Sequence, residues 1–288
     1  MAPFFKPIST GSLTPFAKGG TGECYRLDED TILKLYYEGF PEECIIREKE
    51  CARTALIAGV PTAISYEMVQ AGNRRGIIYE MVQGKTLSEI IREDPARAAD
   101  MGRNFAQIAQ TLHRAEVRKP DLPGVTKVIR DAAGKITYVP EDIRKNVFSF
   151  LDELDRYESY VHGDFHPNNV IMTPDGPMLI DMGGFSIGCP LFDPATTYFS
   201  LFESPEAKQG GRSSFNGLDQ EEARAFWQGF ADEYFEGGAG EEEERLMKKI
   251  VLLKKLRFEV LYGHRYSPIY CEEIRNEVLS TFRKGGDE

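Results

Sequence analysis

The sequence predicts an α+β protein with a small β-rich N-terminal part and a larger, mainly helical C-terminal part. In the first third of the chain, short β-branched and aromatic runs alternate with turn signals, which is typical of strands. After Thr86 the apolar residues recur with a period near 3.6, which indicates helices. Gln83-Gly84-Lys85 interrupts both patterns. We therefore expect a first domain of residues 1–83 and a second of residues 84–288.

Charge and cysteine usage narrow the class of protein. The 288 residues include 46 acidic and 35 basic side chains, a net charge of −11, so binding to nucleic acid or to anionic membranes is not expected. No apolar stretch approaches the roughly 20 residues that span a bilayer, and residues 1–7 lack the apolar core of a signal peptide. The five cysteines form no CxxC pair. We expect a cytoplasmic protein with no evident obligate protein partner.

The N-terminal elements follow from local patterns. Residues 31–37 are predicted as a strand, because all of them except Lys34 are β-branched, aromatic or leucine. Residues 41–58 are predicted as a helix that Gly59 closes. Residues 66–70 and 76–82 are predicted as two further strands, which a turn between them joins into a hairpin.

Helical periodicity dominates the C-terminal part. One apolar stripe lies within residues 105–112, a second lies within residues 143–154, and two more follow residue 219. Between the first two, residues 120–140 are predicted to be irregular, with a short hairpin at Ala133-Gly134. Strand signals return between residues 161 and 181.

The most informative segment runs from His162 to Gly183. Its Thr173-Pro174-Asp175-Gly176 predicts a tight turn, because Pro favours the second and Gly the fourth turn position. The apolar runs on both sides then form an antiparallel hairpin. We place its centre near Asp175, which puts Asn169 opposite Asp181. Asp164, on the loop that enters the first strand, projects towards the same end.

Two carboxylates and an amide at one end of a hairpin predict a magnesium site. Their oxygens are hard ligands, which suit Mg²⁺ rather than zinc. A carboxylate that the metal does not occupy fully can orient a substrate hydroxyl and accept its proton. Two other interpretations stay open. These residues could be turn and cap residues, or His162, Asp164 and His166 could hold the transition metal of a metallohydrolase.

This segment resembles the aminoglycoside phosphotransferase and choline kinase-like branch of the protein-kinase-like fold. His162-Gly163-Asp164, followed by Asn169, resembles the family's catalytic loop, and Asp181-Met182-Gly183 resembles its metal-binding segment. The resemblance covers roughly residues 12–201. It implies a two-lobed protein-kinase-like fold with Asp164 as catalytic base and Asn169 and Asp181 as Mg²⁺ ligands. It also implies that Asp193 supports the catalytic loop and is not catalytic.

A lysine and a glutamate in the N-terminal part fit the same family. Lys34 shares a strand face with Ile32 and Tyr36, and a buried lysine requires a carboxylate partner. On the following helix, Glu48 falls on the apolar face, whereas Glu50 falls on the polar one. Helix phase therefore selects Glu48 as the partner of Lys34, which matches the family's Lys–Glu ion pair at the nucleotide.

The remaining nucleotide-site residues are expected from the order of segments. A glycine-rich stretch upstream of Lys34 resembles the family's nucleotide-covering loop, because glycines let the backbone approach phosphates. The segment before Gly84 resembles the hinge that contacts adenine through backbone groups. Two isoleucines on the later hairpin are expected as apolar walls. The residues expected to bind nucleotide are Gly19, Gly20, Gly22, Glu80, Val82, Ile171 and Ile180.

The resemblance implies a small-molecule kinase that transfers the ATP γ-phosphoryl group to a substrate hydroxyl. ATP, with GTP as an alternative, and Mg²⁺ are the expected cofactors, and a small-molecule hydroxyl compound is the expected partner. Family relatives phosphorylate aminoglycosides, choline, homoserine or sugars. Protein kinase activity is not expected, since no Ala-Pro-Glu segment follows Asp181. The alternative is a catalytically inactive nucleotide-binding regulatory protein of the same fold.

Overall fold

The structure, a computed structural model, describes residues 4–11, 13–118, 122–136, 138–213, 216–236, 238–263 and 267–283. Its strands are β1 (Lys6–Pro7), β2 (Pro15–Lys18), β3 (Gly22–Arg26), β4 (Thr31–Tyr36), β5 (Ser65–Ala71), β6 (Arg74–Glu80), β7 (Lys85–Thr86), β8 (Ser159–Val161), β9 (Val170–Thr173), β10 (Gly176–Leu179) and β11 (Ser186–Gly188). Its α-helices are α1 (Glu42–Ile57), α2 (Leu87–Glu93), α3 (Ala98–Arg114), α4 (Lys127–Gly134), α5 (Glu141–Leu154), α6 (Phe192–Tyr198), α7 (Pro205–Lys208), α8 (Gln220–Tyr234), α9 (Glu241–Tyr262) and α10 (Pro268–Thr281).

The chain forms two compact units, which confirm the predicted α+β class. The first unit, Met1–Thr86 with Asn169–Phe185, holds most of the strands and one long helix. The second unit, Leu87–Asn168 with Ser186–Glu288, is mainly helical. No helix in the described ranges is long and apolar enough to cross a membrane.

A six-stranded sheet forms the centre of the first unit, with strand order β1-β5-β6-β4-β3-β2. The β1–β5 pair is parallel, and the others are antiparallel. Alternation along β4 buries Leu33 and Leu35 on one face of the sheet. On the other face, Tyr36 packs with Ile45 of α1 and Ile77 of β6. This second face is the one that carries Lys34.

Helix α1 begins and ends where its sequence predicts. Glu42 and Glu43 lie in its first turn, where negative side chains stabilise the helix by interacting favourably with its dipole. Gly59 follows the helix with a φ of +84°, a conformation that glycine adopts without steric cost. Two residues later, the Pro61 carbonyl accepts a hydrogen bond from the Leu179 N–H at 2.8 Å. The C-terminal end of α1 is thus tied to the β9–β10 hairpin.

The β9–β10 hairpin is present, but its register differs by one residue from the prediction. Gly176 pairs with Thr173, so the turn is the two-residue Pro174-Asp175 rather than one centred on Asp175. Continuing this register places Ile180 opposite Asn169, and the Ile180 N–H donates to the Asn169 carbonyl at 3.0 Å. The predicted Asn169–Asp181 pairing is therefore wrong. A two-residue turn shifts every later partner by one position.

Helices α3 and α8 pack closely in the second unit because two glycines lie in their interface. A Cβ on Gly102 would overlap the Phe226 carbonyl oxygen, and a Cβ on Gly229 would overlap the Ala99 carbonyl oxygen. Without side chains at these positions, the two backbones come into direct contact.

The predicted irregular segment between residues 120 and 140 contains a helix, so that prediction is wrong. Helix α4 occupies Lys127–Gly134, and no hairpin forms at Ala133-Gly134. Ile129, Ala132 and Ala133 are buried, at the three-to-four-residue spacing of one helical face. Gly134 ends this helix instead of forming a hairpin turn.

Candidate active site

A buried aspartate fixes the backbone of the His162–Asp164 loop. Asp193, fully buried near the start of α6, accepts hydrogen bonds from the His162 and Gly163 N–H groups, both at 2.9 Å. His113 of α3 lies 2.9 Å from the same carboxylate and 2.9 Å from the Tyr234 hydroxyl. Asp193 thus supports the loop, as the resemblance implies.

Asp164 presents its carboxylate to solvent from this braced loop. Its side chain is 44% exposed, and its Oδ2 lies 3.7 Å from the His166 Nε2. The surrounding protein desolvates the carboxyl and favours its protonated form. The nearby His166 imidazole and the Lys254 ammonium outweigh this effect and hold the pKa of Asp164 well below its usual range. Asp164 is therefore ionised at neutral pH, as a proton acceptor must be.

In the first unit, Lys34 binds two carboxylates. Its Nζ lies 2.8 Å from Glu48 Oε1 and 2.9 Å from Asp181 Oδ1. The Lys34–Glu48 pair confirms the partner selected by helix phase. Tyr79 donates a further hydrogen bond to Glu48 at 3.0 Å. Burial alone lowers the pKa of Lys34, but the Asp181 and Glu48 carboxylates outweigh burial and raise it well above its ordinary value.

Asp181 and Asn169 carry the oxygen atoms that suit a magnesium ion. Asp181 has a φ of +59°, a left-handed conformation that Asp tolerates better than most residues, and its side chain is 41% exposed. Asn169 is buried, with its carbonyl bonded to the residue before Asp181. An amide and a carboxylate fit Mg²⁺, which commonly takes one or two carboxylates and completes its shell with phosphates and water.

The metallohydrolase interpretation lacks a ligand cluster. Within the described part of the chain, no group of three or more His, Cys, Asp or Glu side chains could hold a metal ion. His162, Asp164 and His166 therefore do not form the transition-metal site considered from sequence. A magnesium ion held by Asn169 and Asp181, as predicted from the sequence, would take its further oxygens from a ligand such as a nucleotide.

The glycine-rich stretch forms the tight turn between β2 and β3. The Gly19 N–H donates to the Gly22 carbonyl at 2.9 Å. A Cβ on Gly22 would lie 2.6 Å from the Leu35 carbonyl oxygen, whereas a Cβ on Gly20 would meet nothing within 4 Å. Gly22 is therefore required by strand packing, and Gly20 borders open space.

Glu23 holds this hairpin to the rest of the sheet. The hydrogen bonds from Tyr25, Lys18 and Arg74 lower the pKa of Glu23 to about 2. Arg74 of β6 reaches Glu23 at 2.9 Å while it also donates to the Leu35 carbonyl of β4 at 2.9 Å. The Arg74 guanidinium therefore links strands β3, β4 and β6, and these bonds hold the strand that follows the glycine turn in place.

The predicted hinge follows β6 directly. Glu80 is the last residue of that strand, and its carboxylate accepts the Ile64 N–H at 3.1 Å. Val82 is half-buried beyond it. Gly84 packs so closely on the hairpin that a Cβ would lie 2.7 Å from Ile171 Cγ2. Ile171 and Ile180 are both half-buried, which leaves part of each available to a ligand.

All of the predicted nucleotide and metal residues lie in the first unit, and Asp164 lies in the second. Convergence of Asp164 with Asn169 and Asp181 stays a prediction.

Sequence reasoning missed the contacts of Tyr79, His113 and Lys254. The alternation of β6 could have placed Tyr79 on the Glu48 face, because it lies two residues from buried Ile77. The His113 contacts join distant helices, and the Lys254 contact joins helix α9 to a distant loop, so no local pattern encodes them.

A β-rich unit with a buried Lys–Glu pair and a helical unit with a braced Asp-containing loop define the class of kinase-like phosphotransferases. A family model described as the phosphotransferase enzyme family, APH, matches residues 12–230. The chain therefore belongs to this family. The match extends past residue 201, where the sequence resemblance was expected to fade, and takes in most of α8. No curated protein matches the chain.

Solved structures with the same fold include three small-molecule kinases or kinase relatives. A thermostable mutant of aminoglycoside phosphotransferase APH(4)-Ia, with ADP and hygromycin B, is 12% identical, with a TM-score of 0.63 over 96% of this chain and 95% of that one. Amicoumacin kinase hAmiN, with AMP-PNP, Ca²⁺ and Ami, is 16% identical (TM-score 0.57; 95% and 88%). A choline/ethanolamine kinase family protein from Mesorhizobium loti is 17% identical (TM-score 0.57; 96% and 90%). These similarities confirm the two-lobed kinase-like fold.

Proposed function

We propose that the protein is an ATP-dependent kinase that phosphorylates a hydroxyl group of a small molecule. The single observation that carries this proposal is the Lys34 ammonium, held between the buried Glu48 and the exposed Asp181. Phosphoryl transfer needs positive charge at the nucleotide phosphates and a carboxylate that holds the metal. In the ion network the Lys34 ammonium lies beside the Asp181 carboxylate. An ion pair with a purely structural role would gain little stability from leaving Asp181 exposed.

Each predicted residue has a role in this proposal. Lys34 orients the α- and β-phosphates, and the backbone of the turn containing Gly19, Gly20 and Gly22 covers them. The backbone of Glu80 and Val82 contacts the base. Ile171 and Ile180 form apolar walls beside it.

The reaction is a displacement at the γ-phosphorus. Asp164 orients the acceptor hydroxyl and takes its proton while the new O–P bond forms and the bond to the β-phosphate oxygen breaks, which leaves ADP. Asn169 and Asp181 would hold Mg²⁺, which neutralises phosphate charge when bound. ADP and AMP-PNP in the related structures support an adenine nucleotide. GTP has no comparable support.

The test is transfer from γ-labelled ATP to a panel of choline-like amines, amino alcohols, sugars and aminoglycosides, the last because hygromycin B occupies one related structure. We expect transfer to at least one class. Replacing Asp164 by Asn should leave ATP affinity within about twofold and reduce turnover by about 10²–10⁴-fold. Asp175→Asn, in the exposed turn of the hairpin, is the matched control and should retain wild-type turnover.

A catalytically inactive nucleotide-binding regulator is the alternative. It would bind ATP and transfer phosphate to no acceptor, and Asp164→Asn would change nothing that can be measured. The ionised, solvent-exposed Asp164 favours the kinase, because a regulator has no need of a proton acceptor on a braced loop.

A further inference from the structure

A buried lysine reaches the candidate catalytic loop from the long helix α9. Lys254 is 8% exposed, and its Nζ donates to the Gly163 carbonyl oxygen at 3.3 Å. Gly163 immediately precedes Asp164, and Lys254 is near enough to lower the pKa of that carboxyl. A second cation, the half-buried Arg257, lies one turn further along the same face of the helix.

The next residue on α9 shows how this chain normally compensates a buried lysine. Lys255 is also 8% exposed on its side chain, and it pairs with Glu203 at 3.2 Å and with Glu277 at 2.5 Å. For Lys254, by contrast, no residue in the described ranges supplies a carboxylate at ion-pair distance, and its hydrogen bond is to a neutral carbonyl. Burial, together with the Arg257 guanidinium, lowers the pKa of Lys254 to about 8.

Two carboxylates, Asp193 and Asp164, act on the charge of Lys254, and both have other tasks. Asp193 already accepts two backbone N–H groups and contacts His113. Asp164 faces solvent as the candidate base. A buried ammonium without a carboxylate is costly. Lys254, with the Arg257 guanidinium near it on the same helix and the Asp164 carboxylate close by, is therefore suited to a negatively charged group that arrives from solution.

We propose that Lys254 and Arg257 form a subsite for an anionic group of the phosphate acceptor, so that the acceptor is a hydroxyl compound bearing a carboxylate or a phosphate. This inference rests on the proposed kinase function and names its substrate class. The acceptor's negative group contacts the α9 cations while its hydroxyl lies at Asp164. Polycationic acceptors such as aminoglycosides are disfavoured, since the same two cations repel them.

The experiment compares acceptors that share a carbon skeleton and differ in the charge of one substituent. One series is glucose, glucosamine, glucuronate and glucose 6-phosphate, and the other is glycerol, serinol, glycerate and glycerol 3-phosphate. Binding to the full chain is measured by calorimetry with AMP-PNP and Mg²⁺ present, and transfer is measured separately with labelled ATP. We expect at least one anionic member to bind about tenfold or more tightly than its neutral and cationic counterparts. The carboxylate and phosphate arms separate the two sources of charge.

Three variants assign the effect to the subsite. Lys254→Met removes the charge and leaves an apolar side chain of similar length. Arg257→Gln removes the charge at the less buried position, where folding is safer, and leaves a shorter polar side chain. Each should weaken binding of the anionic compound by about tenfold and leave AMP-PNP affinity unchanged. Lys248→Gln, at an exposed position of α9, is the matched control and should change neither.

The outcomes separate this inference from the kinase proposal. Transfer to neutral or cationic acceptors, with no preference for anions, overturns the subsite and leaves the kinase function intact. Anion binding that depends on Lys254 and Arg257, without transfer to any compound, supports the subsite and overturns the kinase function. If no anionic compound binds the wild-type protein, or if binding is equal in the Lys254 and Arg257 variants, the subsite does not exist.

Discussion

Lys34 Nζ lies 2.9 Å from Asp181 Oδ1, so one ammonium joins strand β4 to a carboxylate two residues past the β9–β10 hairpin. The two carboxylates on Lys34 differ in environment. Glu48 is 7% exposed and is suited to hold the lysine, whereas the Asp181 side chain is 41% exposed and can bind a ligand. This difference leads to the first prediction.

Removing Lys34 should leave Glu48 as a buried charge without its partner. Lys34→Met is expected to lower the free energy of unfolding by about 3 kcal/mol or more, because breaking a buried ion pair costs more than the pair contributes. Adding Glu48→Gln should restore at least half of this loss. Urea denaturation of both variants measures the coupling. Lys6→Met breaks an exposed ion pair with Glu67 and should cost about 1 kcal/mol or less. Equal losses for Lys6 and Lys34 would contradict the account.

The glycine turn separates a structural glycine from a ligand-facing one. Gly22→Ala should lower the free energy of unfolding by about 2 kcal/mol, because its Cβ would meet the Leu35 carbonyl at 2.6 Å. Gly20→Ala should change stability by about 0.5 kcal/mol or less, since its Cβ would meet open space. ATP titration of the stable Gly20 variant then tests the phosphate role, with weaker binding expected. Unchanged stability in Gly22→Ala would contradict this prediction, because strands β3 and β4 could then move apart to admit the methyl group at no cost.

Asp193→Asn should damage the loop without touching the nucleotide residues. The amide nitrogen cannot accept a hydrogen bond, so the His162 N–H or the Gly163 N–H loses its partner. We expect a loss of about 2–4 kcal/mol in the free energy of unfolding and lower turnover, with ATP affinity unchanged. Asp100→Asn, at a mostly exposed position of α3, serves as control.

The same variant carries a pH prediction. Burial raises the pKa of Asp193, but His113 and the backbone N–H group of His162 outweigh burial and lower it below its ordinary value. Its ionised form therefore contributes stability that is fully present above the unfolded pKa of about 3.9. That contribution is lost as the pH falls through the lower folded-state pKa. The difference in urea midpoint between wild type and Asp193→Asn should narrow below about pH 4, and a constant difference would refute this.

Cys24 should react slowly with alkylating reagents although it lies in the glycine-rich hairpin. Burial raises its pKa to about 11, so roughly one molecule in a thousand carries the thiolate at pH 8. Cys44 is exposed on α1, although desolvation raises the pKa of its thiol as well. Iodoacetamide at pH 8, followed by peptide mass spectrometry, should modify Cys44 about tenfold or more faster. The rate at Cys24 should rise about tenfold per pH unit up to about pH 11. Equal rates at pH 8 would contradict the raised pKa of Cys24.

The periodicity of the sequence predicted those parts of the site that depend on a single strand or helix, or on two that are adjacent in the chain. Strand alternation placed Lys34 on the face of Ile32 and Tyr36. Helix phase selected Glu48 over Glu50 as its partner, which the 2.8 Å contact confirms. Both inferences work because side-chain direction repeats every 2 or 3.6 residues. The hairpin was predicted as well, but not its register, which depends on whether the turn contains two or three residues.

The parts that the sequence did not predict depend on tertiary contacts or on short elements. Helix α4 has only eight residues, too few for a stripe to stand out, and its stability comes from packing. Lys254 and Gly163 are separated by 91 residues, and nothing local distinguishes Lys254 from Lys255. Their opposite environments, one with two carboxylates and one with a backbone carbonyl, become visible only once α9 is placed in the fold.

The close approach of α3 and α8 has a consequence for interpreting genetic screens. Gly102 and Gly229 let these helices touch, and near their ends the same helix pair brings the Tyr234 hydroxyl to His113, which in turn contacts Asp193. A bulkier residue at Gly102 would push the two helices apart. It would thereby disturb the contacts among Tyr234, His113 and Asp193, although Gly102 itself contacts no ligand in the proposed mechanism. A loss-of-function substitution at Gly102 would reduce activity as a catalytic-residue substitution does, although its cause is altered helix packing.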